Sequence, residues 1–322
     1  MNPRVSVVMP AYQAAWSVGA AVESVLWQTY RDLEVVVVDD GSTDATAEIV
    51  RAHEGPVRVV HQENAGVAAA RNRGIAEAAG ELIAFCDSDD LWFPAHLEAL
   101  VEVYDRAGGG IATANSYWLF PGGIHPARTR FRGRFPTADE QRRAILEQNF
   151  VSTMALFPRR LPEEIGPFPV DRRRAEDWDF WIRAIYAGHR VALQPRPLSL
   201  YRWGATGLSS DRDEMDDDVR AVLETVAART DLSPAERTYV ERCLNGPGAR
   251  ELGRRGDEAL RARRYRAAAR NYRQAAALTP SLPMLVWKAR LMSVAPWLVG
   301  PLVRRRQVRI ERGVGFGEDH VR

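Results

Sequence analysis

The chain has 322 residues, of which 46% are hydrophobic and 27% charged, and its net charge is only +2. That composition excludes disordered and collagen-like classes, and the length allows one large core or two domains. The charge is uneven, because Gly246 to Arg322 holds 17 Lys or Arg against 6 Asp or Glu, a net of +11 that leaves −9 for residues 1–245. In chain order, Val5–Met9 reads as a first strand with Pro10-Ala-Tyr12 as its exit. Ser17–Gln28 is next, an amphipathic helix with Val18, Val22, Val25 and Leu26 on one side. Glu34–Val38 is a second strand leaving into Asp39-Asp40-Gly41-Ser42-Thr43-Asp44, where Gly41 permits a tight turn and Thr43 or Asp44 can cap a helix running to Ala52. Val57–Val60 is a third strand. The Gly/Ala-rich stretch from Asn64 to Ile75 then forms a helix whose small side chains let it approach a sheet closely. Leu82–Cys86 is a buried strand that ends abruptly in Asp87-Ser88-Asp89-Asp90.

Strands alternating with helices imply βαβ units and a mainly parallel sheet with right-handed crossovers. Such a sheet collects its ligand crevice beyond the carboxyl ends of its strands. Tyr12, Asp39 with Asp40, and Asp87 with Asp89 all leave at that edge, around a space of nucleotide size. Crowded carboxylates repel unless a cation or hydrogen-bond donors offset them, and Asp-x-Asp suits a hard divalent ion that completes its shell with diphosphate oxygens and water. The alternative is an Asx-rich turn capping a helix that starts near Phe93-Pro94. Neither Gly-x-Gly-x-x-Gly nor Gly-x-x-x-x-Gly-Lys-Ser/Thr appears after the first strand, which argues against a dinucleotide fold and a P-loop. Phosphate charge is then met by a metal on Asp89 assisted by Arg71, unless Arg71 is a solvated helix charge.

Gly108–Phe120 reads as a further strand region after a helix, and Pro121–Pro136 as a Gly/Pro/Arg loop. Gln141–Phe157 carries a helix and a strand, and Pro158–Asp171 suits surface loop. In the next segment Trp178, Trp181, Ile182, Ile185 and Tyr186 fall at helical spacing and predict a buried face, with Gly188 as C-cap. Glu176 and Asp177 occupy that helix's N-terminus. They either cap it, as the helix dipole favours, or supply a general base on a rigid mount aimed at an acceptor hydroxyl.

Together, Val5-Ser-Val-Val-Met-Pro-Ala-Tyr12, Val38-Asp-Asp-Gly-Ser-Thr-Asp44, Ala70-Arg-Asn-Arg-Gly74, Asp87-Ser-Asp-Asp90 and Glu176-Asp-Trp-Asp179 resemble, in order, the landmarks of the family 2 inverting glycosyltransferases. The resemblance covers roughly residues 4–210. It implies an α/β fold of GT-A type, a Rossmann-like, mainly parallel sheet flanked by helices. It also implies that Pro10, Tyr12 and Asp39 hold the base and ribose of a nucleotide-diphosphate sugar, with Arg71 and Ser88 on the donor as well. Asp87 and Asp89 resemble the Asp-x-Asp pair, Asp87 nearer the ribose and Asp89 on a Mg²⁺ or Mn²⁺ ion, with Asp90 beside the sugar. Asp177 resembles the catalytic base, and Glu176 and Trp178 acceptor-site or shaping residues. The implied donor is a UDP-sugar in the first place, with dTDP- and GDP-sugars as alternatives, and the implied acceptor a glycan or lipid-linked glycan hydroxyl. Many relatives have Tyr-Arg-x-His near the end of the domain, whose His joins the metal. Here Tyr201-Arg202-Trp203-Gly204 puts Gly204 at that position.

Residues 1–212 are thus expected to form a catalytic domain and residues 213–322 an α-helical extension. Asp213–Leu244 looks helical, and Asn245-Gly-Pro-Gly248 separates it from the remainder of the chain. Gly256–Pro280 looks like one tetratricopeptide-type hairpin, which cannot bury its own face and must pack on the enzyme, a partner or the next segment. Residues 284–312 form a basic tail, in which Met284–Arg306, with Trp287, Trp297 and Arg304–Arg306, reads either as a helix on anionic lipid or as a packed cap with a solvated Arg face. Only Cys86 and Cys243 occur, so no disulfide framework is implied, and the N-terminus lacks a charged-then-apolar leader pattern. The expected place is the cytoplasm, peripheral on the inner face of the membrane if the tail binds lipid. Nucleic acid is not an expected partner, because an acidic crevice repels a phosphate backbone. Two other classes stay open: a nucleotide-sugar or glycan binding module without catalysis, and a scaffold whose tail recruits a membrane complex.

Overall fold

A computed structural model describes residues 2–120, 123–131, 133–172, 174–203, 212–229, 231–279, 283–294, 297 and 300–303. In chain order the elements are β1 (Val5–Ala11), α1 (Val18–Leu26), β2 (Leu33–Asp40), α2 (Thr46–Arg51), β3 (Val57–Gln62), α3 (Val67–Glu77), β4 (Leu82–Phe85), β5 (Leu91–Trp92), α4 (His96–Arg106), β6 (Ile111–Ala114), β7 (Tyr117–Phe120) and β8 (Gly123–Thr129). After them come α5 (Gln141–Glu147), β9 (Ala155–Pro158), α6 (Leu161–Ile165), α7 (Glu176–Tyr186), β10 (Val191–Gln194), β11 (Ser199–Arg202), α8 (Arg212–Ala227), α9 (Pro234–Leu244), α10 (Ala249–Arg261), α11 (Tyr265–Leu278) and α12 (Pro283–Val294). The chain divides into two compact units, one reaching Gly207 apart from 121–123 and 146–148, the other comprising those short stretches and Leu208 onward.

The first unit is built on a seven-stranded sheet in the order β10-β6-β9-β4-β1-β2-β3. All its neighbours are parallel except β9, which runs antiparallel to β4 and β6. The Val-rich runs of β1 and β2 exist because both faces are covered. Val35 and Val37 point into the cluster that includes Val18, Val22 and Val25 of α1, whereas Val36 and Val38 meet Ala70 of α3 on the other side. In α3, Gly74 lets the helix lie on β1, since a Cβ there would sit 2.2 Å from Val8 Cγ1.

The helix α7 is anchored by aromatic packing. Its Phe180 stacks on Phe168 at 3.9 Å between ring centroids, its Trp181 meets Phe157 of β9 at 5.5 Å, and Phe157 meets Phe85 of β4 at 5.4 Å. The five apolar residues expected at helical spacing are all buried, and Gly188 ends the turn at φ 97°. This packing ties the start of α7 to the strand that ends in the Asp87–Asp90 loop.

Three features depart from the sequence reading. A second sheet, β5-β11-β7-β8, forms from strands of two to seven residues, too short or too irregular to show periodicity. The strand β8 lies inside the stretch read as a Gly/Pro/Arg loop, and α6 inside the stretch read as surface loop, where Pro162 in the first turn is compatible with helix.

The second unit is helical. Ser233 and Glu236 form a reciprocal capping box at the start of α9, and Asn245–Gly248 separates α9 from α10. The hairpin of α10 and α11 begins at Ala249, earlier than the expected Gly256, and Gly256 instead packs within it under the Tyr272 ring, where a Cβ would come within 2.6 Å. Its apolar face is covered by α12, so the next segment is what buries it: Ala289 and Met292 join Leu260, Ala268 and Tyr272 in one cluster. Lys288 of α12 is buried on Asp257 at 2.6 Å, so α12 takes the packed-cap arrangement, while Arg304–Arg306 lie outside the described residues. Among the described residues no helix is long and apolar enough to cross a membrane.

Substituting Gly74→Ala tests the close approach of α3. Ala gains about 1 kcal/mol of helix propensity, but overpacking against Val8 costs about 1–3 kcal/mol, so a net loss is expected in denaturant unfolding. In a Val8→Ala background the same change should become neutral or stabilising; an equal loss in both backgrounds would contradict the packing.

Candidate active site

The parallel register aligns the ends of β4, β1, β2 and β3, pairing Ala11 with Asp39 and Asp39 with His61. The expected residues therefore do meet at one edge. Pro10 is buried in β1, and Tyr12 stands just past it, 54% exposed. Asp39 is buried; its Oδ1 accepts the Ser42 N–H at 3.0 Å and its Oδ2 lies 2.9 Å from His61 Nδ1. Burial pushes this carboxyl up, but the hydrogen bonds from Ser42 and His61 outweigh it and hold the group below its ordinary range. Asp40 has a different task, accepting the N–H groups of Ala65 and Gly66, both at 2.9 Å, at the start of α3.

In the loop after β4, Asp90 is 1% exposed, its Oδ1 accepts the Arg202 N–H at 2.8 Å, and its Oδ2 has no partner. Asp89 and Asp87 are partly exposed, with Ser88 between them. Burial first, then repulsion from Asp87, raises Asp89, with Arg202 only partly opposing, and the same two causes together with Asp89 raise Asp90 further. None of the three caps α4, whose N-cap Ala95 makes no side-chain bond. The loop thus concentrates negative charge that Arg71 and Arg202 offset only in part, and its donors are hard carboxylate oxygens. Among the described residues no three His, Cys, Asp or Glu side chains converge into a ready-made cage. A divalent cation fits Asp89 and Asp87 on these terms, provided that other oxygens come from a bound diphosphate and water.

Arg71 joins this loop to α7. Its side chain is nearly fully buried, so it is not a solvated helix charge; Nη1 donates to Glu176 Oε1 at 2.6 Å and Nη2 to Asp87 Oδ1 at 3.1 Å. The guanidinium carbon lies 5.4 Å and 5.9 Å from the ring centroids of Phe85 and Phe168. Glu176 is buried, and its carboxyl is raised by that burial, with Asp177 adding to the rise and Arg71 opposing it. The chain enters α7 through Ala175 at φ 57°, a left-handed conformation in a non-glycine residue. Asp177 next to it is partly exposed: Asn149 Nδ2 donates to its Oδ2 at 3.0 Å, and its Oδ1 accepts the Trp178 N–H at 2.8 Å. Trp178 is buried with its Nε1 donating to the Ile145 carbonyl at 2.6 Å.

Three neighbours of the expected residues escaped sequence reasoning. His61 touches Asp39, Asn149 touches Asp177, and Arg202 donates through Nε to the Asp89 carbonyl at 2.8 Å while lying 5.1 Å from the exposed ring of Trp16. Arg202 reaches the loop because β11 runs antiparallel to β5, pairing Leu200 with Leu91. Beside it, burial pushes the Tyr201 phenol up to about 12. Gly204 lies outside the described residues.

Comparison with known proteins identifies the family and the fold. The sequence model of "Glycosyl transferase family 2" matches residues 6–166, half of the chain. YibD of Escherichia coli, described as an uncharacterized glycosyltransferase, is 39% identical over 120 residues, 36% of this chain and 35% of its own length. YwdF of Bacillus subtilis, described likewise, is 28% identical over 213 residues, 65% of this chain and 78% of its own. The chain thus spans about a third of the length of the first of these relatives. Among solved structures, S. aureus TarS 1-349 in complex with UDP-GlcNAc superposes with a TM-score of 0.61 at 20% identity, covering 95% of this chain and 92% of that one. The mannosyltransferase PcManGT from Pyrobaculum calidifontis, in complex with GDP-Man and Mn²⁺, gives 0.60 at 22% identity, covering 99% and 89%. At such identities the structures bear on the fold alone. The chain belongs to glycosyl transferase family 2 and has the GT-A fold.

Proposed function

We propose that the first unit is an inverting glycosyltransferase moving a sugar from a nucleotide-diphosphate sugar to a hydroxyl of a glycan or lipid-linked glycan. The observation that carries this reading is the single guanidinium of Arg71 holding Asp87, from the donor loop, and Glu176, beside Asp177, in one site. Tyr12, Pro10 and Asp39 take the base and ribose at the strand ends, and His61 touches the Asp39 carboxylate that would meet the base. The donor is a UDP-sugar in the first place, in line with the UDP-GlcNAc bound by a neighbour of the same fold, while the GDP-Man of another keeps the GDP-sugar alternative. Asp87 and Ser88 border the ribose and diphosphate, and Asp90 the sugar.

Asp177 is the general base. Its two oxygens are oriented by Asn149 and by the Trp178 N–H, and it keeps lone pairs free for a proton. As the acceptor O–H gives its proton to Asp177, the acceptor oxygen forms its bond to the anomeric carbon from the face opposite the diphosphate. The bond from that carbon to the diphosphate oxygen breaks, the electron pair leaves with the nucleoside diphosphate, and configuration inverts. Asp89, with Asp87 beside it, would hold a Mg²⁺ or Mn²⁺ ion, which when bound offsets charge on the departing diphosphate. Arg71 and Glu176 act as positioning residues, because Arg71 is buried on its carboxylates rather than presented to a ligand.

Two measurements test the reading. Asp177→Asn should lower the transfer rate by about 10²–10⁴-fold while leaving nucleoside diphosphate affinity near that of the parent; full turnover in the variant would sink the assignment. Removing divalent ions with a chelator should stop donor turnover, and added Mn²⁺ should restore it in the parent but not in Asp89→Asn. Turnover indifferent to both treatments would rule out the cation site.

A further inference from the structure

In the helical unit, the turn from α10 into α11 gathers positive charge that nothing nearby offsets. Arg263, Arg264, Arg266 and Arg270 are all exposed, and among the described residues none of the four makes an ion pair or side-chain hydrogen bond. On α10 of the same hairpin Arg254 pairs with Glu258 and Arg255 with Glu251, whereas the turn into α11 sets four exposed arginines close together. Arg263 is held at φ 58°, a left-handed turn that brings the chain from α10 directly into the cluster.

The same four arginines, with Tyr265, Ala267 and Trp297, line an open cavity of about 580 Å³. The aromatic wall is built in. Gly300 lies so close to the Tyr265 ring that a Cβ would stand 2.4 Å from Cδ1, which packs residues 300–303 against the start of α11. Trp297 and Leu302 face solvent at 65% and 63% exposure, while Val303 turns into the core. The result is a cationic basin rimmed by exposed apolar side chains.

From this we infer that the α10–α11 end of the helical unit is a site for the phosphate headgroups of an anionic lipid bilayer. Guanidinium forks match phosphate oxygens, several arginines together are attracted to an anionic leaflet, and an exposed Trp prefers the boundary between headgroup and acyl chain. Leu302 beside such a boundary gains from burial in the acyl region. The position differs from the one the sequence pattern suggested: α12 commits Lys288 and its apolar residues to the inside of the unit, and the lipid-facing charge sits at residues 263–270 with Trp297. All of these residues belong to the second unit, and the basis of the site is independent of the proposed transfer reaction.

The test uses the full chain and flotation with phosphatidylcholine vesicles with or without phosphatidylglycerol. The parent should float with the anionic vesicles and not with the neutral ones. The double reversal Arg266→Glu with Arg270→Glu should weaken that binding by about ten-fold or more, and Trp297→Ala by a smaller factor. Circular dichroism melting should match the parent, and donor turnover on a soluble acceptor should be retained in both variants. Equal flotation with neutral vesicles, or anionic binding untouched by the double reversal, would overturn the site. So would binding of inorganic polyphosphate or single-stranded RNA that is sensitive to the reversal while vesicles are left unbound.

Discussion

One buried guanidinium organises the first unit. Arg71 is withdrawn from water, and its charge is tolerable there only because Asp87 and Glu176 meet it from two separate parts of the chain. The dependence is mutual. Asp87 sits in a loop already crowded by Asp89 and Asp90, and Glu176 sits beside Asp177, so both carboxylates would be repelled from their places without a cation between them. Phe85 and Phe168 lie near the guanidinium and exclude solvent, which strengthens the pairing. The cost of the buried ions secures geometry rather than stability: the Asp87–Asp90 loop and the start of α7 are held together.

The remaining carboxylates then divide their labour by environment. Asp39 is satisfied by Ser42 and His61, Asp40 is occupied by Gln62 and by the Ala65 and Gly66 N–H groups ahead of α3, and Asp177 is oriented by Asn149 yet still partly exposed. Asp90 and Asp89 are left short of donors, a state that the protein alone does not resolve and that a bound cation with its diphosphate would. Arg202 lends partial relief to this loop through its guanidinium, and its backbone N–H secures Asp90, which makes the second sheet a support for the loop.

Much of this was legible beforehand. The valines of β1 and β2 and the run Leu82–Phe85 announce strands buried on both faces, and their polar exits fall at one edge because parallel strands end together. The aromatic spacing from Trp178 to Tyr186 likewise marked the buried face of α7. What could not be read were pairings between distant residues that carry no local pattern. His61 lies next to the end of a strand that alternates weakly, Asn149 precedes a strand by six residues, and Arg202 reaches Asp89 through the antiparallel contact of β11 with β5. The reversed direction of β9 is equally silent, since four buried residues look alike in either direction. In the helical unit the hairpin was visible, but its start was not. Gly256, read as the hairpin's first residue, lies inside α10 and serves as the floor under Tyr272.

The measurement closest to the central interaction is a double-mutant cycle between Arg71→Met and Glu176→Gln, read by denaturant unfolding. The single change at Arg71 should cost about 3–5 kcal/mol, because it strands buried carboxylates. Neutralising Glu176 in the same chain should return part of that loss, with a coupling of about 0.5–3 kcal/mol. Two effects that simply add, to within about 0.5 kcal/mol, would mean that Arg71 does not hold the two halves of the site together.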